Sequence, residues 1–291
     1  MTTATPFYLG IDGGGTGCRA RVVDASGRVL GTGEAGPASL RLGADTAWAA
    51  LMQAAGAALQ GAGITALAHT IRAGIGVAGV GMPGALEALS GKPHPFASLA
   101  IVNDAATACL GAHAGRDGGI VIAGTGSIGF GLIGGREVRV GGWGFPVSDE
   151  GSGAWLGLEG VRMALRAHDG RRATTPLLDQ IMARFGGNPF AVVAWMATAS
   201  ATDYATLAPL LVATAAQGDP AGAELLRRAA VEIGGLMDGL LQRGVPRLAL
   251  MGGLGPSLLP WFDDAVRRRL HAPDGDAIDG ALRLAGLRAS S

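Results

Sequence analysis

One structural unit occurs twice in this chain. Phe7–Ile11 (FYLGI) is a short apolar run ending in the cluster Asp12-Gly13-Gly14-Gly15-Thr16. Arg19–Asp24 (RARVVD) reads as a second strand, and Ala25-Ser26-Gly27 turns the chain into Arg28–Thr32 (RVLGT). About 110 residues further on the same order returns: Ile120–Ala123 (IVIA), Gly124-Thr125-Gly126-Ser127, Gly129–Ile133 (GFGLI), Gly134-Gly135 and Glu137–Val140 (EVRV). Repetition at this scale points to two domains built on one plan. A length of 291 residues suits two α/β domains of ordinary size. The boundary is expected near Ala112–Gly118, giving 1–112 and 113–291, with the last helix able to cross back to the N-terminal domain.

The remaining elements fit an α/β plan. A helix is expected over Asp45–Gln60 with Asp45 as its N-cap. Ile71–Val80 reads as a buried strand leading to the loop Gly81-Met82-Pro83-Gly84. Leu99–Val102 is another strand, followed by Asn103-Asp104 and a helix Ala105–Ala114. Apolar spacing near 3.6 predicts helices over Gly153–Ala167, Pro176–Phe185, Ala191–Ala199, Tyr204–Ala216 and Ala221–Leu241. A buried strand, Arg247–Met251, runs into Gly252-Gly253-Leu254-Gly255-Pro256, and helices Ser257–Leu270 and Asp276–Ala289 close the chain.

Composition removes several function classes. Basic and acidic residues balance at 23 each with no basic stripe, so nucleic acid is not expected as a partner. No apolar run reaches the ~18 residues of a membrane span. The start, Met1 to Pro6, carries neither a charged n-region nor an apolar h-region, so the cytoplasm is the expected location. Cys18 and Cys109 form no metal spacing and read as reduced core thiols. Gly is in excess at 51 residues, in short clusters between apolar runs, which suggests tight turns and close backbone approach.

Those clusters are not the common phosphate loops. Gly124-x-Gly126-x-x-Gly129 matches the dinucleotide fingerprint in letters, but that site needs a helix directly after the glycines and a strand follows here. A P-loop fails at the one lysine, Lys92, which has Leu86 where a glycine belongs and Pro93 in place of Ser or Thr. Two glycine hairpins can instead present backbone N–H groups to a polyphosphate, with hydroxyls from Thr16 and Thr125. Asp12 can hold waters of a Mg²⁺ ion, which takes few protein ligands. Either hairpin alone reads equally as an ordinary β-turn; the duplication shifts the balance toward a nucleotide site.

The arrangement resembles the actin/hsp70/hexokinase class, a two-domain ribonuclease H-like fold with duplicated mixed sheets flanked by helices. YLGIDGGGTGCRARVVD is similar to its first phosphate motif, GIVIAGTGSIGFGLI to its second and LALMGGLGPSLLP to its adenosine motif. Gly141–Gly160 (GGWGFPVSDEGSGAWLGLEG) resembles the N-acetylglucosamine kinase group, or BadF/BadG family. The resemblance implies ATP and Mg²⁺ held by Asp12, Gly13, Gly14, Gly15, Thr16, Gly124, Thr125, Gly126, Ser127, Gly252 and Gly253. It implies Asp104 as the general base on a sugar hydroxyl, and Ser39, Asp104, Gly142, Trp143, Gly144 and Asp149 as sugar contacts. It suggests a homodimer.

Each assignment has a structural counterpart. Asp104 can be an N-cap, Trp143 a core aromatic, and Asp149 or Glu150 a cap of the helix near Gly153. Ser39 stands in a loop where the family places asparagine, which keeps a donor and acceptor but shortens the reach. The implied activity is phosphorylation of N-acetylglucosamine to its 6-phosphate. The alternatives are a glucosamine kinase, another sugar kinase of the class (glucose-like or N-acetylmuramic substrates), or an ATPase that regulates a partner protein. Since backbone donors would carry the phosphates, Lys92→Arg should leave kcat and the KM for ATP nearly unchanged. A loss on the order of a hundredfold, the size of a removed transition-state contact, would place the lysine on the nucleotide.

Overall fold

The computed structural model describes residues 6–64, 70–80 and 84–288. The N-terminal segment 1–5, the loop residues 81–83 and Ala289 of the expected final helix lie outside the described residues. In chain order the strands are β1 (Phe7–Gly13), β2 (Cys18–Val23), β3 (Val29–Ala35), β4 (Ile71–Val77), β5 (Ser98–Asn103), β6 (Gly118–Ala123), β7 (Ser127–Ile133), β8 (Arg136–Val140) and β9 (Leu248–Met251). The helices of the first half are α1 (Ala44–Gly61), α2 (Ala85–Ser90) and α3 (Asp104–Ala112). They are followed by α4 (Gly153–His168), α5 (Pro176–Ala183), α6 (Pro189–Met196), α7 (Ala201–Ala205), α8 (Ala208–Ala216) and α9 (Pro220–Gln242). Last come α10 (Gly255–Leu258), α11 (Asp264–Arg267) and α12 (Ala277–Leu284).

The described chain forms two compact units, one from 1–118, 131–137 and 272–291, the other from 119–130 and 138–271. The first sheet has the order β3-β2-β1-β4-β5 and the second β8-β7-β6-β9. β1 runs antiparallel to β2 and parallel to β4, and β6 runs parallel to β9. The duplicated motif therefore produces the same strand order twice: a meander with a parallel neighbour added beside its first strand.

On one face of the first sheet, α1 buries Ala47, Leu51, Ala54 and Ala58, at the spacing of one helical stripe, against Leu9, Ile11 and Val22. On the other face α12 packs Ile278 and Leu282 on Tyr8 and Val23. Both helices sit unusually close to the strands because glycine lies beneath them. A Cβ on Gly33 would stand 2.2 Å from Ala54 O, and one on Gly74 only 2.1 Å from Ala281 O. Between α3 and α12 the contact is tighter still, with Gly280 facing Thr107 O and Gly111 facing Asp276 O, each at 1.8 Å from a built Cβ. Arg21 on β2 fixes the start of α12 through Asp279 (2.6 Å) and Asp276 (3.1 Å).

Several expected boundaries are corrected. Gly43, not Asp45, caps α1; Asp45 lies in the first turn, where a carboxylate faces the positive end of the helix. The helix expected over Tyr204–Ala216 is two, α7 and α8, because Pro209 belongs to a first turn and cannot continue a preceding helix. Ser257–Leu270 likewise breaks into α10, a 3₁₀ turn at Leu259–Trp261 containing Pro260, and α11 capped by Asp263. The short α2 was not expected at all.

Gly280→Ala should cost about 1–3 kcal/mol, the size of an overpacked core. The same change at Gly235, in the middle of α9 with open space around it, should instead gain about 0.5–1 kcal/mol. Urea denaturation of both variants checks the opposite signs; equal effects would rule out the backbone contact at Gly280.

Candidate functional site

In the first unit the site residues gather at one edge of the sheet. The register sets Gly13 beside Val77 and Val77 beside Asn103, so the carboxyl ends of β1, β4 and β5 stand in a row. That edge is where open α/β sheets hold ligands. The glycine turn is closed by Gly14 N donating to Gly17 O at 2.9 Å. The next loop is fastened to it, since Ala38 N donates to Gly14 O (3.0 Å) and Leu40 N to Ala78 O (2.9 Å). Ser39 is thereby held at the same edge; it is buried, and its Oγ accepts from Arg41 N at 3.3 Å.

Asp12 lies across the ladder from Arg19, and their side chains pair at 2.8 Å. With Thr16 and Glu34 they line a polar cavity of about 490 Å³. Asp104 opens α3. Burial pushes its carboxyl above the ordinary aspartate value; the Ala105 N–H, donating to Oδ1 at 3.0 Å, pulls it down, and the nearby Asp12 charge raises it. The N-cap is Asn103, whose Oδ1 accepts from Ala106 N at 2.7 Å. Capping therefore does not account for Asp104. Lys92 pairs with Asp45 on α1.

In the second unit the turn Gly124–Ser127 and the segment Gly252-Gly253 follow the parallel strands β6 and β9. They are stitched together by Leu254 N donating to Ala123 O at 3.0 Å. Gly252 has φ +91 and no room for a Cβ, which would lie 2.3 Å from Ala123 O; only glycine fits. The start of α4 docks on the turn through Gly153 N to Gly124 O (2.8 Å) and Ala154 N to Thr125 O (3.0 Å). Beside the turn lies a cavity of about 580 Å³. One wall is Gly124, Thr125, Gly253, Leu254 and Ser257; the other is Ala205, Ala208, Pro209, Val212 and Ala213 from α7 and α8. Sequence reasoning missed the second wall, because its small apolar spacing looks like any packed helix face.

The Gly142–Asp149 loop belongs to this unit. Gly142 (φ +69) and Gly144 (φ +108) bend it, the Phe145–Pro146 peptide is cis, and Asp149 itself has φ +65. Asp149 Oδ1 accepts from Gly144 N at 3.3 Å, and its Oδ2 lies 2.6 Å from a built Cβ on Gly126. The carboxylate thus braces the loop against the glycine turn. Ser152, not Asp149 or Glu150, caps α4. Trp143 is 74% exposed with the Arg139 guanidinium 4.2 Å from its ring centre, so it is not a core aromatic. Ser127 is turned inward, its Oγ donating to Glu150 O at 2.7 Å.

The profile of the BadF/BadG/BcrA/BcrD ATPase family matches residues 9–266. The chain belongs to this family. It is 40% identical over 281 residues to the glucosamine kinase GspK of Vibrio cholerae serotype O1, covering 96% of each protein. A crystal structure described as that of a candidate N-acetylglucosamine kinase from Chromobacterium violaceum superposes with a TM-score of 0.88 at 38% identity, over 97% of this chain and 99% of that one. A glucokinase of the ROK family from Streptomyces griseus, solved with glucose and AMPPNP, covers 97% of this chain and 99% of its own at a TM-score of 0.53 and 21% identity. This last likeness concerns the fold alone: two mixed sheets flanked by helices, as in the actin/hsp70/hexokinase class. Among the described residues no helix is long and apolar enough to cross a membrane.

A carboxyl whose folded value lies above its ordinary one favours folding at low pH, and that contribution is lost as pH rises through the folded value. Asp104→Asn removes the half-buried charge and keeps an oxygen for the Ala105 N–H. The variant should melt above wild type at pH 8, with the difference shrinking as pH falls and Asp104 takes up its proton. Melting curves whose separation did not change between pH 4 and pH 8 would place the carboxyl in water.

Proposed function

We propose that the protein is an ATP-dependent hexosamine kinase. The observation that carries the reading is the pair Asp12 and Asp104, set within electrostatic reach at the carboxyl edge of the first sheet. A half-buried carboxylate with a raised proton affinity suits a general base. Asp104 accepts the proton of the sugar hydroxyl as that oxygen attacks the γ-phosphorus; the bond to the bridging oxygen breaks, and ADP leaves. Gly124, Thr125, Gly126, Ser127, Gly252 and Gly253 are assigned to the nucleotide, with its base in the apolar cavity. Gly13, Gly14, Gly15 and Thr16 meet the phosphates. Ser127 acts through its backbone, since its hydroxyl is engaged with Glu150.

The donor set suits Mg²⁺. The side-chain oxygens of Asp12, Thr16 and Glu34 line the cavity at this turn, beside Cys18 and Arg19, and no group of three or more His, Cys, Asp or Glu able to hold a metal occurs among the described residues. Mg²⁺ is bound through one or two carboxylates together with substrate phosphates. Asp12 is its holder, through water, and the ion would neutralise charge on the phosphates. Arg19 then has to share Asp12 with it.

Ser39, Asp104, Gly142, Trp143, Gly144 and Asp149 are assigned to the sugar. Asp149 serves mainly by bracing the loop, given its bond to Gly144 N. Free glucosamine leads as substrate because the relative at 40% identity over 96% of the chain carries that name; N-acetylglucosamine, the first expectation from the motif, stands second. A cytoplasmic location and a homodimer belong to the same proposal.

A coupled ADP assay across glucosamine, N-acetylglucosamine and glucose tests it. ADP release should require Mg²⁺ and rise with an amino sugar. Asp104→Asn should lose ~10²–10⁴ in kcat, the range for general-base removal, while still binding sugar and ATP. If no hexose raised the rate above the basal level, the kinase reading would fail in favour of an ATPase that acts on a partner protein. If the variant kept more than about a tenth of kcat, Asp104 would leave the mechanism.

A further inference from the structure

The second-unit cavity is lined almost wholly by apolar side chains. Its lining contains glycine, alanine, proline, valine and leucine, with Thr125 and Ser257 as the only hydroxyl side chains among the described residues. No amide, carboxylate or cationic side chain is among them. Several backbone N–H groups of the lining are already engaged. Gly124 N is bound to Gly126 O, Gly153 N to Gly124 O, Leu254 N to Ala123 O and Ser257 N to Leu254 O. On the facing wall Val212 and Ala213 lie inside α8, where the helix occupies their N–H groups, and Pro209 has none.

A nucleobase is distinguished chemically by the donors and acceptors on its edge. Adenine presents an amino group where guanine presents a carbonyl oxygen, and hypoxanthine differs from guanine by an amino group. A site that hydrogen-bonds those groups rejects the wrong base by about 10⁴–10⁵, because its own buried polar groups are left unpaired. A slot whose side chains are apolar but for two hydroxyls has few such groups to strand, and its discrimination stays within roughly 10–200-fold. The cavity volume of about 580 Å³ lies in the range of ordinary small-molecule sites, so a purine fits whichever edge it carries.

We infer that this protein selects its phosphoryl donor by the triphosphate and by the flat shape of a purine, and does not read the base edge. Guanosine and inosine triphosphates are then donors alongside ATP. The inference rests on the assignment of this cavity to the nucleotide. Ala213, exposed on α8 at the cavity wall, offers a way to probe it: Ala213→Phe narrows the slot for every base alike.

Two measurements on the full-length protein test this. The first is kcat/KM for ATP, GTP and ITP at saturating amino sugar. The second is the melting shift given by Mg-ADP, Mg-GDP and Mg-IDP without any sugar, which needs no turnover. The three triphosphates should agree within about a hundredfold, inside the range of an apolar pocket, and all three diphosphates should raise the melting temperature. Ala213→Phe should raise the KM of all three by a common factor and leave their ratios unchanged. An ATP preference over GTP of a thousandfold or more, or a melting shift with ADP alone, would overturn the inference. So would an Ala213→Phe effect confined to one base. If no nucleotide supports sugar phosphorylation, the kinase reading falls, and the melting shifts with the three diphosphates still decide base selection.

Discussion

The first unit depends on the approach of helix backbone to backbone across glycine. α12 lies against β1, β4 and α3 at distances that a single methyl group would break, at Gly10, Gly74, Gly111 and Gly280. Dispersion and hydrophobic burial are short-ranged, so contact at this distance gains surface that larger side chains would hold apart. The consequence reaches the site. Gly280 meets Thr107 O, while Thr107 also sits over Gly76, where a Cβ would lie 2.0 Å from its Oγ1. Thr107 Oγ1 in turn donates to Asp104 O at 3.0 Å. The first turn of α3, and with it the Asp104 carboxyl, is thus clamped by the sheet on one side and by α12 on the other.

That clamp has an electrostatic effect. Asp104 is half-buried, and its hydrogen bond from Ala105 does not offset the partial loss of hydration. Asp149 adopts a left-handed conformation that costs a non-glycine residue of order 1–3 kcal/mol. Asp104 opens α3 and Asp149 lies in the loop before α4, so neither departure lies within the sheets. Such concentration is expected where a scaffold holds groups for chemistry and not for stability. The thiols show the contrast: burial pushes Cys18 and Cys109 up to about 12, which leaves both protonated and inert in the core.

Much of this was legible in the sequence because its signals are local. The strands about Asp12 and Gly124, the glycine turns and the paired Asn103-Asp104 are written in consecutive residues, and the duplicated order β3-β2-β1-β4 and β8-β7-β6-β9 follows from their repetition. What stayed hidden depends on one-residue offsets or on distant neighbours. Asn103 and Asp104 are both good caps, and only the backbone conformation tells that Asn103 takes the role. The helix breaks near Pro209 and Pro260 were masked by apolar spacing that continues across the proline. Trp143 looked fit for a core, yet its loop bends at Gly142 and Gly144 and leaves it over Arg139. The α7–α8 wall of the cavity carries no chemical mark, since alanine and valine serve equally to fill a core or to line a slot.

The two copies of the unit diverge at one position with large effect. In the first, the strand before the glycine turn carries Asp12 as its last side chain before Gly13, and that side chain reaches the cavity and pairs with Arg19. In the second, the corresponding place is Ala123, which has no side-chain chemistry and uses its carbonyl to accept from Leu254 N. A carboxylate there would set a charge against the apolar slot, and an alanine in the first copy would remove the carboxylate that pairs with Arg19. The parallel neighbours diverge in the same sense, because β9 runs into Gly252, whose left-handed turn brings Gly253 and Leu254 onto the cavity. One plan used twice therefore yields a polar, carboxylate-bearing edge in the first unit and an apolar edge in the second.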